Sequence, residues 1–91
     1  MTPENAEILA LKGLGWLAGE EDGIQRFQAQ SGIEAAALRD AAGSPEMGVA
    51  ILDFLLENED LLLRFCESAS LSPKELHLAR HRLAKDDMGE A

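Results

Sequence analysis

The sequence predicts an all-α fold, a compact domain of six helices, and three observations carry this prediction. Residues 44–65 begin with a run that is apolar almost all the way around a helical wheel, which is typical of a buried central helix. Residues 2–4, 44–46 and 72–75 each carry the signals of a helix start: a hydroxyl side chain, then proline, and an acid within the next two residues. The two acidic turns of the chain also align with each other at an offset of 38 residues.

Helix 1 is predicted to start after the Thr2 cap and to end at about Ala18. Gly13 lies in the middle of its apolar face, where a glycine costs about 1 kcal/mol relative to alanine. We therefore expect helix 1 to cross helix 4 closely at Gly13, with helices 1 and 4 as the central pair. Trp16, which is the only tryptophan, lies on the same face and should report the packing between the two halves of the chain.

Two short helices follow in the first half of the chain. Ile24 and Phe27 are spaced as on one helical face and predict a second helix that ends near Gln30, before a Ser-Gly pair. A third helix is predicted at about residues 34–42, with Leu38 as its apolar anchor and a glycine after its end.

The second half of the chain has the same order of elements. Helices 4 and 5 are predicted at about residues 44–57 and 59–69, separated by the second acidic turn. Helix 6 follows a capping box with proline at the first helical position, and we expect it to cover about residues 73–85. Residues 86–91 are predicted to form a polar, frayed tail.

The two acidic turns indicate an internal repeat. WLAGEEDGIQRF, at residues 16–27, aligns with FLLENEDLLLRF, at residues 54–65, without a gap. Amphipathic helices always align to some degree, but here polar positions match as well, including the arginine that precedes each phenylalanine. We therefore predict a single domain over residues 1–85, built from two pseudo-symmetric three-helix units at residues 6–43 and 44–81, because neither unit buries its long helix alone.

Composition excludes several classes of protein. With 46% apolar residues, 27% charged residues and one cysteine, the chain is neither disordered nor a disulfide scaffold. A net charge of −9 argues against general binding to nucleic acids or anionic membranes. No apolar run reaches the roughly 20 residues of a membrane span, and the first residues lack the pattern of a secretory signal, so we expect a cytoplasmic protein.

Three segments of the sequence resemble a known family. They are ALKGLGWLAGEE at residues 10–21, SGIEAAALR at residues 31–39 and VAILDFLLENEDLL at residues 49–62. Together they are similar to a family of small uncharacterised alphaproteobacterial proteins that is defined as a domain of unknown function. The resemblance implies a bacterial, cytoplasmic, all-helical protein, and it implies no activity and no functional residue.

No catalytic, cofactor or metal site is predicted from the residues. The acidic turns at residues 20–22 and 57–60 lack the spacing of a calcium-binding loop, and capping explains their carboxylates. His77 and His81 are four residues apart on helix 6, but two imidazoles do not complete a metal site. Cys66 falls on the apolar side of helix 5, where we expect a buried structural thiol.

Two surfaces remain as candidates for interaction. Helix 6 carries a basic stripe of Lys74, Arg80, Arg82 and Lys85, which resembles a DNA-recognition helix in its charge. Leu63 is apolar where its repeat counterpart is Gln25, and it lies about 130° from the centre of the core face of helix 5, so it predicts a surface for self-association or for a partner. Helix 6 folding back over Leu63 is the alternative.

We expect a non-enzymatic module for protein–protein interaction or regulation, with an unidentified protein partner or a second copy of the chain, and with no cofactor. The alternative is a nucleic-acid-associated regulator that uses the basic helix 6.

Overall fold

Six α-helices make up the architecture of this chain in its computed structural model, which describes residues 1–87. Their bounds are α1 Pro3–Gly19, α2 Gly23–Ser31, α3 Ala35–Asp40, α4 Pro45–Glu57, α5 Glu59–Ala69 and α6 Pro73–Asp87. The predicted all-helical class is confirmed, and no strand occurs in the part of the chain that the structure describes.

Hydroxyl side chains cap three helices, α1, α4 and α6, at the starts that the sequence predicts. Oγ1 of Thr2 accepts a hydrogen bond from the Asn5 backbone N–H at 3.1 Å, and Oγ of Ser44 accepts one from Met47 N–H at 3.1 Å. At α6, Oγ of Ser72 accepts a hydrogen bond from the backbone N–H of Glu75 at 3.4 Å. Each cap satisfies one of the backbone donors that a helix start leaves unpaired, which fixes the starts of α1, α4 and α6.

Two helices differ in length from the prediction. Helix α3 covers only Ala35–Asp40, because Ser44 turns the chain back: its N–H and its hydroxyl both donate to the carbonyl of Ala41, at 2.9 and 2.8 Å. Helix α6 continues to Asp87, two residues beyond the predicted end. The rest of the predicted frayed tail, residues 88–91, lies outside the described residues.

The α1–α4 pair crosses at Gly13, as predicted. A Cβ on Gly13 would lie 3.1 Å from Cδ1 of Leu55 and 3.4 Å from Cγ2 of Ile51, so the two helices approach more closely than a larger residue would allow. Helix α6 packs against both members of the pair. A Cβ on Gly48 would lie 2.6 Å from Cδ1 of Leu83, which shows that Gly48 makes room for α6.

The core lies between α1, α4 and α6 and is closed at one end by α2 and α5. All its fully buried large side chains are apolar, and they are Leu17, Phe27, Ile51, Leu52, Leu55, Leu61, Phe65, Leu76 and Leu83. Helix α3 contributes no buried residue and lies at the edge of the core.

Helix boundaries follow the 38-residue offset at three places. Helices α1 and α4 end at Gly19 and Glu57, helices α2 and α5 end at Ser31 and Ala69, and helices α3 and α6 begin at Ala35 and Pro73. The residues that follow α2 and α5, Gly32 and Ser70, both have left-handed backbone angles, with φ of 77° and 57°. The superposition of residues 6–43 on residues 44–81 remains a prediction.

Candidate functional site

Each acidic turn receives an arginine from the other half of the chain. Arg26 donates to Oδ2 of Asp60 at 3.2 Å and to Oδ1 of Asn58 at 3.2 Å, and Arg64 donates to Oε1 of Glu20. The hydrogen bond from Arg26 lowers the pKa of the Asp60 carboxyl below its usual value. The sequence predicts that capping explains these carboxylates, but Asp22 and Asn58, the N-cap residues of α2 and α5, make no side-chain cap hydrogen bond. The ion pairs between the two halves instead give Glu20 and Asp60 a structural role.

In residues 1–87, no group of three or more histidine, cysteine, aspartate or glutamate residues has the placement of a metal site. His77 and His81 are both exposed on α6, whereas Cys66 is buried on α5. The histidines and the cysteine are therefore not presented on one accessible surface.

We expect the Cys66 thiol to be unreactive in the folded protein at neutral pH. Burial, together with the negative charge of Glu75, raises its pKa, and a higher pKa leaves less of the nucleophilic thiolate. Reaction with a chromogenic disulfide reagent at pH 7 should be at least about tenfold slower in the native protein than in urea-unfolded protein. Equal rates in the two states would show that Cys66 is accessible.

The predicted basic stripe on α6 divides between two sides of the helix. Arg80 turns toward α4 and forms an ion pair with Asp53, its Nε donating to Oδ1 and its Nη2 donating to Oδ2 at 3.4 Å. Arg82 is half-buried, whereas Lys74 and Lys85 are exposed. Because Arg80 already has a carboxylate partner, the stripe offers phosphate fewer cations than the sequence predicts, and the nucleic-acid alternative remains a prediction.

One face of α6 points away from the core, and we call it the α6 outer face. All five of its residues are exposed, and successive 100° steps place them within an arc of about 100°. They are Lys74, His77, Leu78, His81 and Lys85. Leu78 lies at one edge of this arc, about 20° from Lys85 and 40° from Lys74, and leaves 46% of its surface exposed. The α6 outer face is therefore a basic surface with one exposed leucine beside its lysines.

Leu63 is 52% exposed, so the core does not bury it. Its exposed neighbours one helical turn away are acidic: Glu59, Asp60 and Glu67. No second exposed large apolar side chain accompanies it on α5. The structure thus leaves Leu63 as a single leucine among acids, and its role as an interaction surface stays a prediction.

An apolar groove lies between α3 and the start of α4, and we call it the α3–α4 groove. Its volume is about 260 Å³. It is lined by Ile33, Ala37, Ala41, Ser44, Glu46, Met47 and Ala50. Met47 is buried, while Ala37 is exposed. The Ser44 turn produces this groove, because its hydrogen bonds to Ala41 hold the alanine-rich α3 beside α4.

A second groove, between α1 and the start of α6, is the counterpart of the first. We call it the α1–α6 groove; its volume is about 250 Å³ and it is lined by Met1, Asn5, Ile8, Leu9, Lys12, Leu71 and Glu75. Five of these seven residues are 38 positions from a residue that lines the α3–α4 groove. Lys12 and Glu75 stand where the α3–α4 groove has Ala50 and Ala37, so the α1–α6 groove has charged side chains at two positions at which the α3–α4 groove has alanine.

Sequence reasoning missed the α3–α4 groove and the outward apolar residues of α1, Ile8 and Leu11, which are 51% and 43% exposed. One signal for the groove was present in the sequence. Helix α3 is rich in alanine and contains a single large apolar residue, Leu38, so it has too little side-chain volume to fill the space beside α4. The position of that space depends on how tightly residues 41–44 turn, which the sequence pattern does not specify.

Comparison with protein families shows that residues 3–86 match a family model described as a protein of unknown function (DUF3572). No curated protein and no solved structure matches the chain. Within residues 1–87, none of the helices combines the length and the apolar character needed to cross a membrane.

Proposed function

The chain belongs to the DUF3572 family. Because no activity is assigned to that family, we propose a function from the surface of the protein. We propose that it is a non-enzymatic protein-interaction module that binds its partner in the α3–α4 groove. A single observation carries the proposal. Ile33, Ala41 and Ala50 are half-buried and Ala37 is exposed, so apolar surface that the chain itself does not cover faces solvent between two helices.

The size and lining of the α3–α4 groove favour a protein partner over a small ligand. Pockets for small molecules usually enclose about 300 to 1,000 Å³ and contain several convergent polar groups. This groove measures about 260 Å³, and its only polar lining side chains are Ser44 and Glu46. Ser44 already uses its hydroxyl for the turn and for the cap of α4. The space therefore suits one or two apolar side chains of a partner helix.

Charge around the groove restricts the kind of partner. Glu46 lines the groove, Glu34 follows the lining residue Ile33, and Asp40 precedes the lining residue Ala41. All three acids are exposed. We therefore propose that the partner presents apolar side chains flanked by lysine or arginine, because opposite charges at the rim of an interface speed association and set its orientation.

We expect Ala37→Glu to weaken partner binding without unfolding the protein, because it places a carboxylate in the lining of the groove at an exposed position. Ala36→Glu is the matched control, since Ala36 is also an exposed alanine of α3 but does not line the groove. Tagged wild type and both variants are purified from the source cells, and the proteins that accompany them are quantified by mass spectrometry.

The proposal requires a partner protein that is reduced at least about tenfold with Ala37→Glu, a loss of about 1.4 kcal/mol or more in binding free energy, and retained with Ala36→Glu. Urea denaturation of both variants checks that their stability is equal. Identical sets of partner proteins with the two variants would contradict the proposal.

A further inference from the structure

The α6 outer face is the chemical complement of the α3–α4 groove. We propose that the groove of one copy of the chain binds the α6 outer face of a second copy, with Leu78 in the groove and Lys74 and Lys85 against its acidic rim. This inference rests on the proposed function and names the partner of the same site. Each of the two surfaces has exposed apolar side chains beside charged ones, and the charges of the two surfaces are of opposite sign.

Half of the lysines and arginines of this acidic chain lie in α6. The helix carries four of the eight bases and three of the 17 acids, Glu75, Asp86 and Asp87, of which the last two follow Lys85 at its end. Glu75 is half-buried, lines the α1–α6 groove and accepts a hydrogen bond from the Ser72 hydroxyl at 3.3 Å, so it does not belong to the outer face. A second copy therefore meets a face with two lysines, two histidines and one leucine.

Negative charge borders the groove on both of its helices. Glu46 lines it from α4. On α3, 100° steps place Asp40 about 60° from the groove-lining Ala37, whereas the base Arg39 lies about 160° from Ala37 and points away. The rim that a docking helix would contact is thus acidic, and the one arginine of α3 does not neutralise it.

The two surfaces of one copy do not meet each other. Helix α6 uses its opposite side, with Leu76, Ala79 and Leu83 buried, to pack against α4 and α1, so its outer face points away from its own core. Association is therefore between different patches on two copies. Such a head-to-tail contact leaves one free groove and one free outer face at the ends of every open oligomer, so further copies add as the concentration rises.

The expected association is weak and depends on salt. One helix face in a shallow groove buries less than the roughly 800 Å² per partner of a stable interface. Exposed charges at the rim are screened as ionic strength rises, since the Debye length falls from about 20 Å at ~20 mM salt to about 6 Å at ~300 mM salt. We therefore expect oligomers at about 20 mM salt and high protein concentration, and their loss at about 300 mM salt.

Sedimentation velocity on a concentration series tests the proposal through complementation. Ala37→Glu blocks the groove and Leu78→Glu blocks the outer face, so each variant alone should be monomeric. An equimolar mixture should form dimers, because one intact groove meets one intact outer face, and it should not form larger species. Ala36→Glu is the control for Ala37→Glu, because it changes another exposed alanine of α3. Leu63→Glu is the control for Leu78→Glu, because it changes another exposed leucine. Both control variants should associate like wild type.

Three outcomes would overturn the inference. They are a monomeric wild type at the highest concentration and lowest salt, a mixture that fails to dimerise while wild type does, or loss of association in Leu63→Glu with Leu78→Glu unaffected. The last outcome would move the interface to α5. None of them affects the proposed function, which depends on the separate comparison of partner proteins bound by Ala37→Glu and Ala36→Glu.

Discussion

Gly13→Leu should destabilise the fold by about 1 to 3 kcal/mol, because it overpacks the crossing of α1 and α4. A Cβ added at this position would lie 3.1 to 3.9 Å from side-chain atoms of Leu55, Ile51 and Phe65. The added carbons of a leucine would have to enter a region in which Ile51 and Leu55 are completely buried. Separation of the two central helices, or a shift of their side chains out of favoured rotamers, is the expected cause of the loss.

Trp16 provides the measurement, since its ring packs against Phe65 with a centroid distance of 5.7 Å and therefore reports contact between the two halves. Urea unfolding followed by tryptophan fluorescence gives the change in the free energy of unfolding. Gly15→Leu is the control on the same helix: Gly15 is exposed with nothing within 4 Å of its Cβ position, and leucine should stabilise the helix there by up to about 1 kcal/mol. Equal effects at the two glycines would show that the crossing tolerates a large residue.

The helices and their central pair were predictable because their signals are local. The Thr2, Ser44 and Ser72 caps each specify a helix start within four residues of sequence, and the structure contains all three. Gly13 indicated the crossing because a glycine inside a helix has a cost that close packing offsets. These inferences require only the spacing of residues along one helix.

The candidate site depends on tertiary placement, which explains why sequence reasoning did not find it. The alanines of α3 become the wall of a groove only because the Ser44 turn holds them beside Met47. Similarly, the sequence predicts a stripe of four bases on α6, but Arg80 pairs with Asp53, a residue 27 positions away, and leaves the stripe. Leu78 was missed because its exposure depends on which side of α6 faces α1 and α4.

Phe65→Ala and Phe27→Ala should each destabilise the protein by about 3 to 5 kcal/mol, which is a large part of the roughly 5 to 14 kcal/mol expected for a chain of this length. Both rings are buried, with exposures of 1% and 0%. Each packs against an aromatic residue of the other half: Phe65 against Trp16, and Phe27 against Phe54 at 5.4 Å in an edge-to-face arrangement. The 38-residue offset relates Trp16 to Phe54 and Phe27 to Phe65, so the two ring pairs occupy equivalent positions in the two halves. The predicted repeat therefore implies similar losses of stability in the two variants.

Fluorescence of the native state separates the two variants and tests whether the packing is as the structure has it. Phe65→Ala should shift the emission of Trp16 to longer wavelength, because Phe65 is the ring in contact with it, whereas Phe27→Ala should leave the native emission unchanged although it costs about as much stability. If Phe27→Ala lowers the free energy of unfolding by at least about 2 kcal/mol less than Phe65→Ala does, the two halves do not contribute equally to the core. The expectation that the repeat gives the two positions similar energies would then be wrong.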